Sequence, residues 1–256
     1  MRKPFLFFLS LLGPAIAIAI WWITSSNSGE IYYPPLPDIL ESVWNYWIVG
    51  EGRTDLLSSL SNLGVGLGIG IVVGILLGLV IGQIPFVRYG LTPTLEFIRA
   101  IPATALLPFA IVIFGLGDQM KIFIIALGTM FPILLNVIDG VRGIPRESHD
   151  TARSFGITGW TKQWRVVIPA VMPRAVAGIT IAIPLSLILV VTSEMRGSAE
   201  GIGAFLITAQ NSFNQTAVWG VIILLGLLGV ILTTIFNIIE RRLLAWDRGL
   251  HGRDLS

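Results

Sequence analysis

Residues 63–82 read LGVGLGIGIVVGILLGLVIG, twenty residues without a charged or hydrogen-bonding side chain. An α-helix needs about 20 mostly apolar residues to cross the hydrocarbon core of a bilayer. The stretch therefore predicts a membrane-spanning helix, and it forms most of the second of six such candidates. We predict the six spans at 4–23, 56–82, 91–115, 119–138, 174–193 and 216–239. These blocks are too long for strands and do not alternate, which argues against a β-barrel.

The composition excludes two other classes of protein. Hydrophobic residues make up 54% of the 256 residues and charged residues 12%, whereas soluble domains carry roughly 25% charged residues. So few ionised groups exclude a soluble globular protein, and the apolar content excludes a disordered chain. The net charge of +2 gives no reason to expect a nucleic-acid partner. The absence of cysteine rules out disulfides and thiolate metal sites, and two histidines argue against a histidine-rich metal centre.

The first span has two interpretations. Arg2-Lys3, the apolar run and Ala15-Ile16-Ala17 resemble a secretory signal peptide. The run continues to Ile23, however, and contains Trp21-Trp22, and aromatic residues at that position are typical of a membrane interface. We therefore favour an uncleaved transmembrane helix over a cleaved signal.

The basic residues predict the orientation, because loops on the cytoplasmic side of a membrane carry an excess of lysine and arginine. Six spans with the N-terminus inside place both termini in the cytoplasm. Fourteen basic residues then lie inside and three outside, a bias that the inverted topology would reverse. The three outside are Arg53, Lys121 and Arg196.

The first outer segment contains a second kind of helix. Between residues 38 and 49, apolar side chains recur at Ile39, Leu40, Val43, Trp44, Trp47 and Ile48, the pattern of one helical face. The simpler interpretation is an amphipathic helix lying on the outer membrane surface. The alternative is a surface for an extracytoplasmic partner.

Sequence patterns of known catalytic sites are missing. No HExxH, GxSxG or GxxxxGK[ST] occurs in the chain. The chain is therefore predicted to bind no ATP and to catalyse no bond chemistry, which leaves transport, a passive channel or a scaffold. A membrane-embedded enzyme stays open as an alternative, but it needs a nucleophile with a base, or metal ligands, at one depth.

Three features favour transport. Glycines recur at every fourth position from Gly66 to Gly82, which permits close helix packing and would also suit a moving interface. Glu96 and Arg99 can pair at i, i+3, either as a structural ion pair or as a substrate contact. Pro93, Pro102 and Pro108 are expected to break the third span, and such a backbone is tolerated where it is packed in protein or lines a cavity. We expect a path lined by spans two to five near these prolines. The residues that we assign to the path or its gating are Glu96, Arg99, Pro102, Pro108 and Glu194.

The third feature is the long polar loop from 139 to 173. Residues 147–155 predict a short helix that Gly156 ends, and a second amphipathic helix around Trp160 and Trp164 is expected to stop at Pro169. The loop is either an interfacial helical hairpin that closes the connection or a docking element for a soluble partner.

This loop resembles the EAA loop of bacterial ABC importer permeases, whose pattern is EAA, three residues, Gly, nine residues and I-x-L-P. Here the pattern reads Asp150-Thr-Ala152-Arg-Ser-Phe-Gly156, nine residues, then Val166-Val-Ile168-Pro169. Asp150 replaces the Glu, Thr151 the first Ala and Ile168 the Leu. The stretch from Arg99 to Pro108 with Phe114-Gly-Leu-Gly117 is similar to the signature of nitrate/sulfonate/taurine/bicarbonate permeases, and Glu200-Gly-Ile-Gly203 resembles their outer Gly-Leu-Gly element.

The resemblance implies an all-α type I ABC importer permease fold with an EAA-type coupling helix in the cytoplasm. It implies a bacterial inner-membrane homodimer, two ATPase subunits that hold ATP and Mg²⁺, and an extracytoplasmic binding protein that delivers a small anionic nutrient. The ATPase-coupling residues would be Glu147, Asp150, Thr151, Ala152, Phe155, Gly156 and Pro169. The expected divisions are 1–55 for the first helix and periplasmic segment, 56–249 for the permease core, and 250–256 for a cytoplasmic tail.

Overall fold

The computed structural model describes residues 2–26, 32–196 and 198–246, and the expected tail at 250–256 lies outside them. All regular structure in these ranges is helical, as predicted. The helices are α1 (Arg2–Ser25), α2 (Leu36–Val43), α3 (Gly52–Gln83), α4 (Pro85–Ala100), α5 (Leu107–Phe114), α6 (Asp118–Arg142), α7 (Arg146–Ser154), α8 (Gly159–Lys162), α9 (Ile168–Glu194), α10 (Ile202–Asn211) and α11 (Gln215–Leu243). The expected division between residues 55 and 56 falls inside α3.

Helices α3 and α6 run parallel and form the most extensive contact of the fold. A Cβ atom added at Gly66 would lie 2.7 Å from Cβ of Ile125, and one added at Gly82 would lie 2.8 Å from Cβ of Val141. Between Gly66 and Gly82, the glycines at every fourth position also face α6. Gly70 faces Thr129, Gly74 faces Ile133 and Gly78 faces Val137. Every side chain opposite a glycine is β-branched and therefore stiff at χ1. We call these five pairs the glycine ladder.

Helix α9 packs against α6 in the opposite direction. A Cβ atom at Gly178 would lie 2.8 Å from Cα of Ile133, and one at Gly140 would lie 2.9 Å from Cβ of Arg174. Helix α6 thus contacts both α3 and α9, and its Ile124, Ile133 and Val137 are fully buried. We call the two ends of this bundle the Glu194 end and the Arg142 end.

Helices α4 and α5 carry the chain back across the bundle. Helix α3 ends beside Val141 at the Arg142 end, and Asn62 near its start bonds Asp118 at the Glu194 end. Because α3 and α6 are parallel, the chain between them must return from the Arg142 end to the Glu194 end. The returning pair is bent by 84°, so it is one broken span.

Of the three prolines in this span, only Pro102 lies at the break. Residue 101 is extended (φ −78°, ψ 120°), as expected before a proline, and a short 3₁₀ turn follows at Ala103–Leu106. Pro93 lies inside α4, and Pro108 lies in the first turn of α5, where a missing N–H leaves no bond unmade. The expectation that all three prolines break the span was therefore wrong.

Four helices of the described chain are long and apolar enough to cross a membrane, or five when the bent pair counts as one span. They are α3, α6, the continuous stretch Gly159–Glu194, and α11. The described apolar part of α1, Ala15–Ser25, is shorter, and its Trp21 packs on Trp219 of α11 with ring centroids 5.2 Å apart. The count of six spans stays a prediction.

The predicted outer amphipathic helix is present as α2 and a π-helical turn at Trp44–Val49. Part of its apolar face packs on protein: Ile39 is fully buried, and Trp47 meets Phe205 edge-on at 5.1 Å. Leu40 and Trp44 remain exposed on the other side. The element is therefore anchored to α10 and α11 and does not lie on the membrane by its apolar face alone.

The fifth span begins earlier than predicted. Helix α8, a π-helical turn at Gln163–Val167 and α9 form one stretch of 36 residues from Gly159 to Glu194. Pro169 does not stop this stretch, although it lies inside it, directly after the π-helical turn and at the second residue of α9. The expected helix end at Pro169 was wrong.

Candidate functional site

A cavity of about 640 Å³ lies where the bent span meets α6 and α9. Arg99 and Pro102, both assigned to the path from the sequence, line it. So do Thr104, Asn136 and Asp139, which the sequence analysis missed. Helix α3 does not contribute, because its glycine face is covered by α6. Within one chain, the cavity is therefore lined by spans three, four and five, not two to five.

A second cavity, of about 660 Å³, lies toward the Glu194 end. Pro102 and Thr104 line both cavities, so the 3₁₀ turn after Pro102 forms the wall between them. Among the described residues, Arg196 is the one charged group in the lining of this second cavity. The two cavities therefore meet at the break in the backbone.

The predicted pair of Glu96 and Arg99 is formed, with a side-chain hydrogen bond of 2.5 Å. Both side chains are about half exposed, 52% and 53%, so the pair contributes little to stability. Glu96 does not line the large cavity but a smaller one of about 150 Å³ beside it, with Arg88 and Arg142. Pro108 lines none of these three cavities.

Glu194 is fully buried and lines neither cavity, although the adjacent residues Met195 and Arg196 line the second one. Its carboxylate accepts the Ser59 hydroxyl (2.7 and 2.9 Å) and the backbone N–H of Gly203 (2.9 Å). Ser59 Oγ in turn accepts the N–H of Ile202 (2.9 Å), and Asp55 accepts that of Gly201 (2.7 Å). Three side chains from α3 and α9 thus satisfy the first N–H groups of α10, which otherwise lack intrahelical acceptors. We call Asp55, Ser59 and Glu194 the α10 clamp.

Two further contacts extend this polar region. The Tyr46 hydroxyl donates to Asp55 (3.0 Å), and burial, with added contributions from Asp55 and Glu51, raises the pKa of Tyr46 to about 12. The phenol therefore keeps its proton at neutral pH and stays a donor. On the neighbouring helix, Asp118 accepts from the Lys121 ammonium at 3.0 Å. Lys121 is only 4% exposed, whereas Asp118 is 65% exposed, so the pair joins a buried ammonium to a carboxylate at the surface.

The expected coupling helix is α7. Gly156 has φ +68°, its N–H donates to Arg153 O (3.0 Å), and the next N–H, of Ile157, donates to Ala152 O (2.8 Å). These two bonds form a Schellman motif, whose left-handed position favours glycine. Phe155 is 79% exposed, so a large apolar side chain projects from the end of α7 and is not covered by the described residues.

The coupling residues do not all lie on one face. Glu147, Asp150 and Thr151 are exposed, but Ala152 is 4% exposed and packs inward. The small side chain of Ala152 therefore lets α7 lie close to its own chain, and it is not part of the outward surface. Pro169 lies in α9, outside α7.

The clamp residues of α3 were missed, although a signal for them exists. Asp55, Ser59 and Asn62 occupy positions i, i+4 and i+7, which makes a polar face at the start of an otherwise apolar span. Intramembrane polar groups face protein or a cavity more often than lipid. Within the clamp, the partners of Asp55 and Ser59 lie 135 or more residues away, and Asp118, the partner of Asn62, lies 56 residues away. Local sequence spacing therefore does not reveal them.

Comparisons with known proteins agree with this architecture. The family model described as "Binding-protein-dependent transport system inner membrane component" matches residues 70–245. The putative aliphatic sulfonates transport permease protein SsuC of Bacillus subtilis is 28% identical over 254 residues, covering 98% of this chain and 92% of the relative. The formylaminopyrimidine transport permease protein ThiX of Halalkalibacterium halodurans is 30% identical, covering 96% of each chain. The nitrate import permease protein NrtB of Synechococcus elongatus is 28% identical, covering 95% and 88%.

A solved structure shares the fold. A chain of the MetNI methionine ABC transporter in an inward-facing conformation superposes with a TM-score of 0.61 and 24% identity, covering 81% of this chain and 97% of that one. ABC permeases are transport subunits that work with ATPase and binding-protein partners, and a separate subunit hydrolyses the ATP. With 176 consecutive residues matched, the chain belongs to the family of inner membrane components of binding-protein-dependent transport systems, the multi-pass permeases of ABC importers.

Proposed function

We propose that two copies of this chain form the translocation path of an importer for small anions in the bacterial inner membrane. Both termini and the Arg142 end face the cytoplasm. Two ATPase subunits bind ATP and Mg²⁺ there, and a binding protein delivers the anion to the Glu194 end. The predicted excess of basic residues on the Arg142 side supports this orientation.

The observation that carries the proposal is the pair of cavities separated at Pro102. We call the second cavity, at the Glu194 end, the outer cavity, and the cavity lined by Arg99 the inner cavity. Arg196 lines the outer cavity, and no carboxylate is among the described lining residues, so the outer cavity would favour an anion. Arg99 lines the inner cavity, although Glu96 neutralises much of its charge. The relatives named for sulfonates and nitrate support an anionic substrate, and nitrate, sulfonate or taurine, and bicarbonate are the classes that we propose.

The wall between the cavities is the element that would open. The turn Ala103–Leu106 lies between two helices that meet at 84°, and a proline break leaves backbone groups that can change partners. A shift of α5 against α4 would join the cavities without unfolding a span. Alternating access then needs no rearrangement of the glycine ladder.

A second copy would cover the apolar face of α5. Val112 is 85% exposed, and Phe109 and Ile113 are more than half exposed, beside the cavity-lining turn. Covering this face with the same face of another chain would enclose the path. This supports a homodimer over a single-chain pore.

Helix α7 would transmit force from the ATPase. Phe155 projects fully from its C-terminal end, and the Schellman motif at Gly156 fixes the direction of the chain that leaves it. Large exposed aromatic side chains are typical anchors at protein interfaces. We therefore place Phe155, with Glu147 and Asp150, in the ATPase groove.

The experiment is ATP-driven uptake by the complete transporter, with its binding protein, in proteoliposomes. Arg196→Gln should lower uptake of the anion at limiting concentration about tenfold while leaving docking of the ATPase unchanged. Arg53→Gln is the matched control, because Arg53 lies at the same end but lines neither cavity. Uptake that proceeds without ATP would contradict an importer, and equal losses in both variants would contradict a role for Arg196 in the path.

A further inference from the structure

A cavity of about 470 Å³ at the Arg142 end has an unusual concentration of positive charge. It lies between the α3–α4 turn, the end of α6, and the helices α7 and α8. Its charged lining residues are Arg88, Arg142, Arg146 and Lys162, and no carboxylate is among the described lining residues. Arg142 is paired with Asp139 outside the lining, at 3.4 Å, whereas Arg88, Arg146 and Lys162 have no ion pair among the described residues. These cations converge on one cavity and attract an anion, and a general excess of basic residues on the cytoplasmic side does not require such a convergence.

His149 of α7 supplies a second, independent observation. It lines the same cavity, and its Nδ1 is buried without a hydrogen-bond partner in the part of the chain that the structure describes. Buried polar atoms in native proteins are nearly always satisfied. His149 therefore places an imidazole ring, one of whose nitrogens the described chain leaves unpaired, in the wall of this basic cavity.

The cavity is held open by contacts around its mouth. The Gln163 amide donates to Gln83 Oε1 at 2.7 Å, which ties the π-helical turn to the end of α3. The Arg88 guanidinium lies 5.1 Å from the centre of the Tyr89 ring and donates to Gly82 O. Arg88 is thus oriented by its neighbours, while a guanidinium has further donors for a second partner.

Exposed aromatic side chains flank the lining residues along the chain. Phe86 and Tyr89 on α4 are 88% and 74% exposed, and Trp160 and Trp164 follow later in the chain, in edge-to-face contact. Aromatic rings are enriched at the level of lipid headgroups, and basic cavities between transmembrane helices on the cytoplasmic side bind such headgroups. These aromatic residues therefore favour a lipid over a soluble anion as the ligand of the cavity.

We propose that this cavity binds a phosphate group, supplied by an anionic phospholipid of the inner leaflet. The proposal rests on the proposed function only for placing the cavity in the cytoplasmic leaflet. Because Arg146 and His149 belong to α7 and Arg142 to α6, the phosphate would connect the coupling helix to a span. Anionic lipid would then stiffen the link through which the ATPase acts.

The test is a thermal-shift titration of the complete transporter in detergent, with short-chain phosphatidylglycerol, short-chain phosphatidylcholine or inorganic phosphate. A ligand that binds only the folded state raises the unfolding temperature with concentration. We expect phosphatidylglycerol to raise it and phosphatidylcholine to leave it unchanged. The double variant Arg88→Gln, Lys162→Gln should need at least tenfold more phosphatidylglycerol for the same shift. Arg242→Gln, which removes a charge at the same end outside the cavity, should behave as the wild type.

Comparison of the three additives identifies the source of the phosphate group. A shift with inorganic phosphate alone, lost in the double variant, would make a soluble phosphate compound the ligand and overturn the lipid. Equal shifts of the unfolding temperature in the wild type and the double variant would overturn the site, and so would the lack of a shift with all three additives. A double variant that loses ATPase docking but responds to the lipid as the wild type does would overturn it as well. If the double variant does not assemble, Lys162→Gln alone serves, since its ammonium has no ion pair within the described residues. The readout needs no transport, so failure here leaves the importer proposal standing.

Discussion

Replacing Ser59 with alanine tests whether α3 and α9 hold the start of α10. The Ser59 hydroxyl donates to the buried Glu194 carboxylate and accepts the Ile202 N–H. Its removal deletes one hydrogen bond to a charged group, worth about 1.5–3 kcal/mol, and leaves a buried N–H without an acceptor, which costs about 1–3 kcal/mol. The two effects share one oxygen and do not add fully. We expect the free energy of unfolding to fall by about 2–4 kcal/mol.

Ser193→Ala is the matched control. Ser193 precedes Glu194 and is likewise fully buried, but in the described chain its Oγ donates only to the Val190 carbonyl of its own helix (2.8 Å). Losing that local bond should change the free energy of unfolding by less than about 1 kcal/mol. The assay is unfolding by sodium dodecyl sulfate in mixed micelles, followed by tryptophan fluorescence. Hydrogen exchange at the Ile202 amide gives a local readout, which should speed up in Ser59→Ala and stay slow in the control.

A functional consequence follows from the position of the clamp. Met195 and Arg196, next to Glu194, and Ile207 of α10 line the outer cavity. Loosening the clamp should therefore widen this cavity, and the variant should lose uptake while its ATPase still hydrolyses ATP. If Ser59→Ala and Ser193→Ala have equal stabilities within about 0.5 kcal/mol, and equal exchange at Ile202, the clamp does not hold α10.

Three further predictions address other parts of the fold. Gly78→Ala places a Cβ 2.7 Å from Val137 Cβ and should lower the free energy of unfolding by about 1–3 kcal/mol, whereas Gly68→Ala, with no described neighbour within 4 Å, should not; equal effects would contradict the ladder. Gly156→Val strains a left-handed position and should weaken ATPase docking in a pull-down while insertion stays normal; full docking and stimulated hydrolysis would reduce the loop to a connector. In this cysteine-free chain, a cysteine at Ser212 should react with an impermeant reagent from outside and one at Ser154 should not, and the reverse would invert the topology.

The sequence predicted those features whose determinants are local. The spacing of four in the glycine run marks one helical face, and the structure places all five glycines from Gly66 to Gly82 on that face, against α6. The end of α7 at Gly156 was likewise predictable, because a glycine after a short polar helix is the usual requirement of a left-handed cap. Both features depend on residues within a few turns of each other.

Features that depend on distant partners could not be predicted. Glu194 was assigned to gating as an intramembrane charge, yet its partners are Ser59 and a backbone amide of α10, which no local pattern reveals. The three prolines of span three look alike in the sequence. Whether a proline breaks a helix depends on its place relative to the helix start, and only the packing of α4 and α5 decides that Pro102 is the break.

The glycine ladder bears on where an importer of this architecture can move. The sequence left open whether the glycine face is a sliding interface or a packed one. In the structure, every glycine from Gly66 to Gly82 faces a stiff β-branched side chain, so a displacement of less than a full turn would bring these side chains against the Leu, Ile and Val residues between the glycines. The ends of α3 are also fixed, by the bond from Asn62 to Asp118 at one end and from Gln163 to Gln83 at the other.

Helices α3 and α6 therefore move together, as one body. The wall between the cavities, by contrast, is a single 3₁₀ turn next to a proline break, and α5 beyond it keeps Val112 and its apolar neighbours exposed. Segments with few buried contacts open at the lowest free energy. In the proposed importer, force that enters at α7 would reach α6 through residues 143–145 and α9 through α8. Both of these helices line the inner cavity beside Pro102. In the proposed importer, the step that joins the two cavities would thus be a movement of the bent span against a rigid α3–α6 pair.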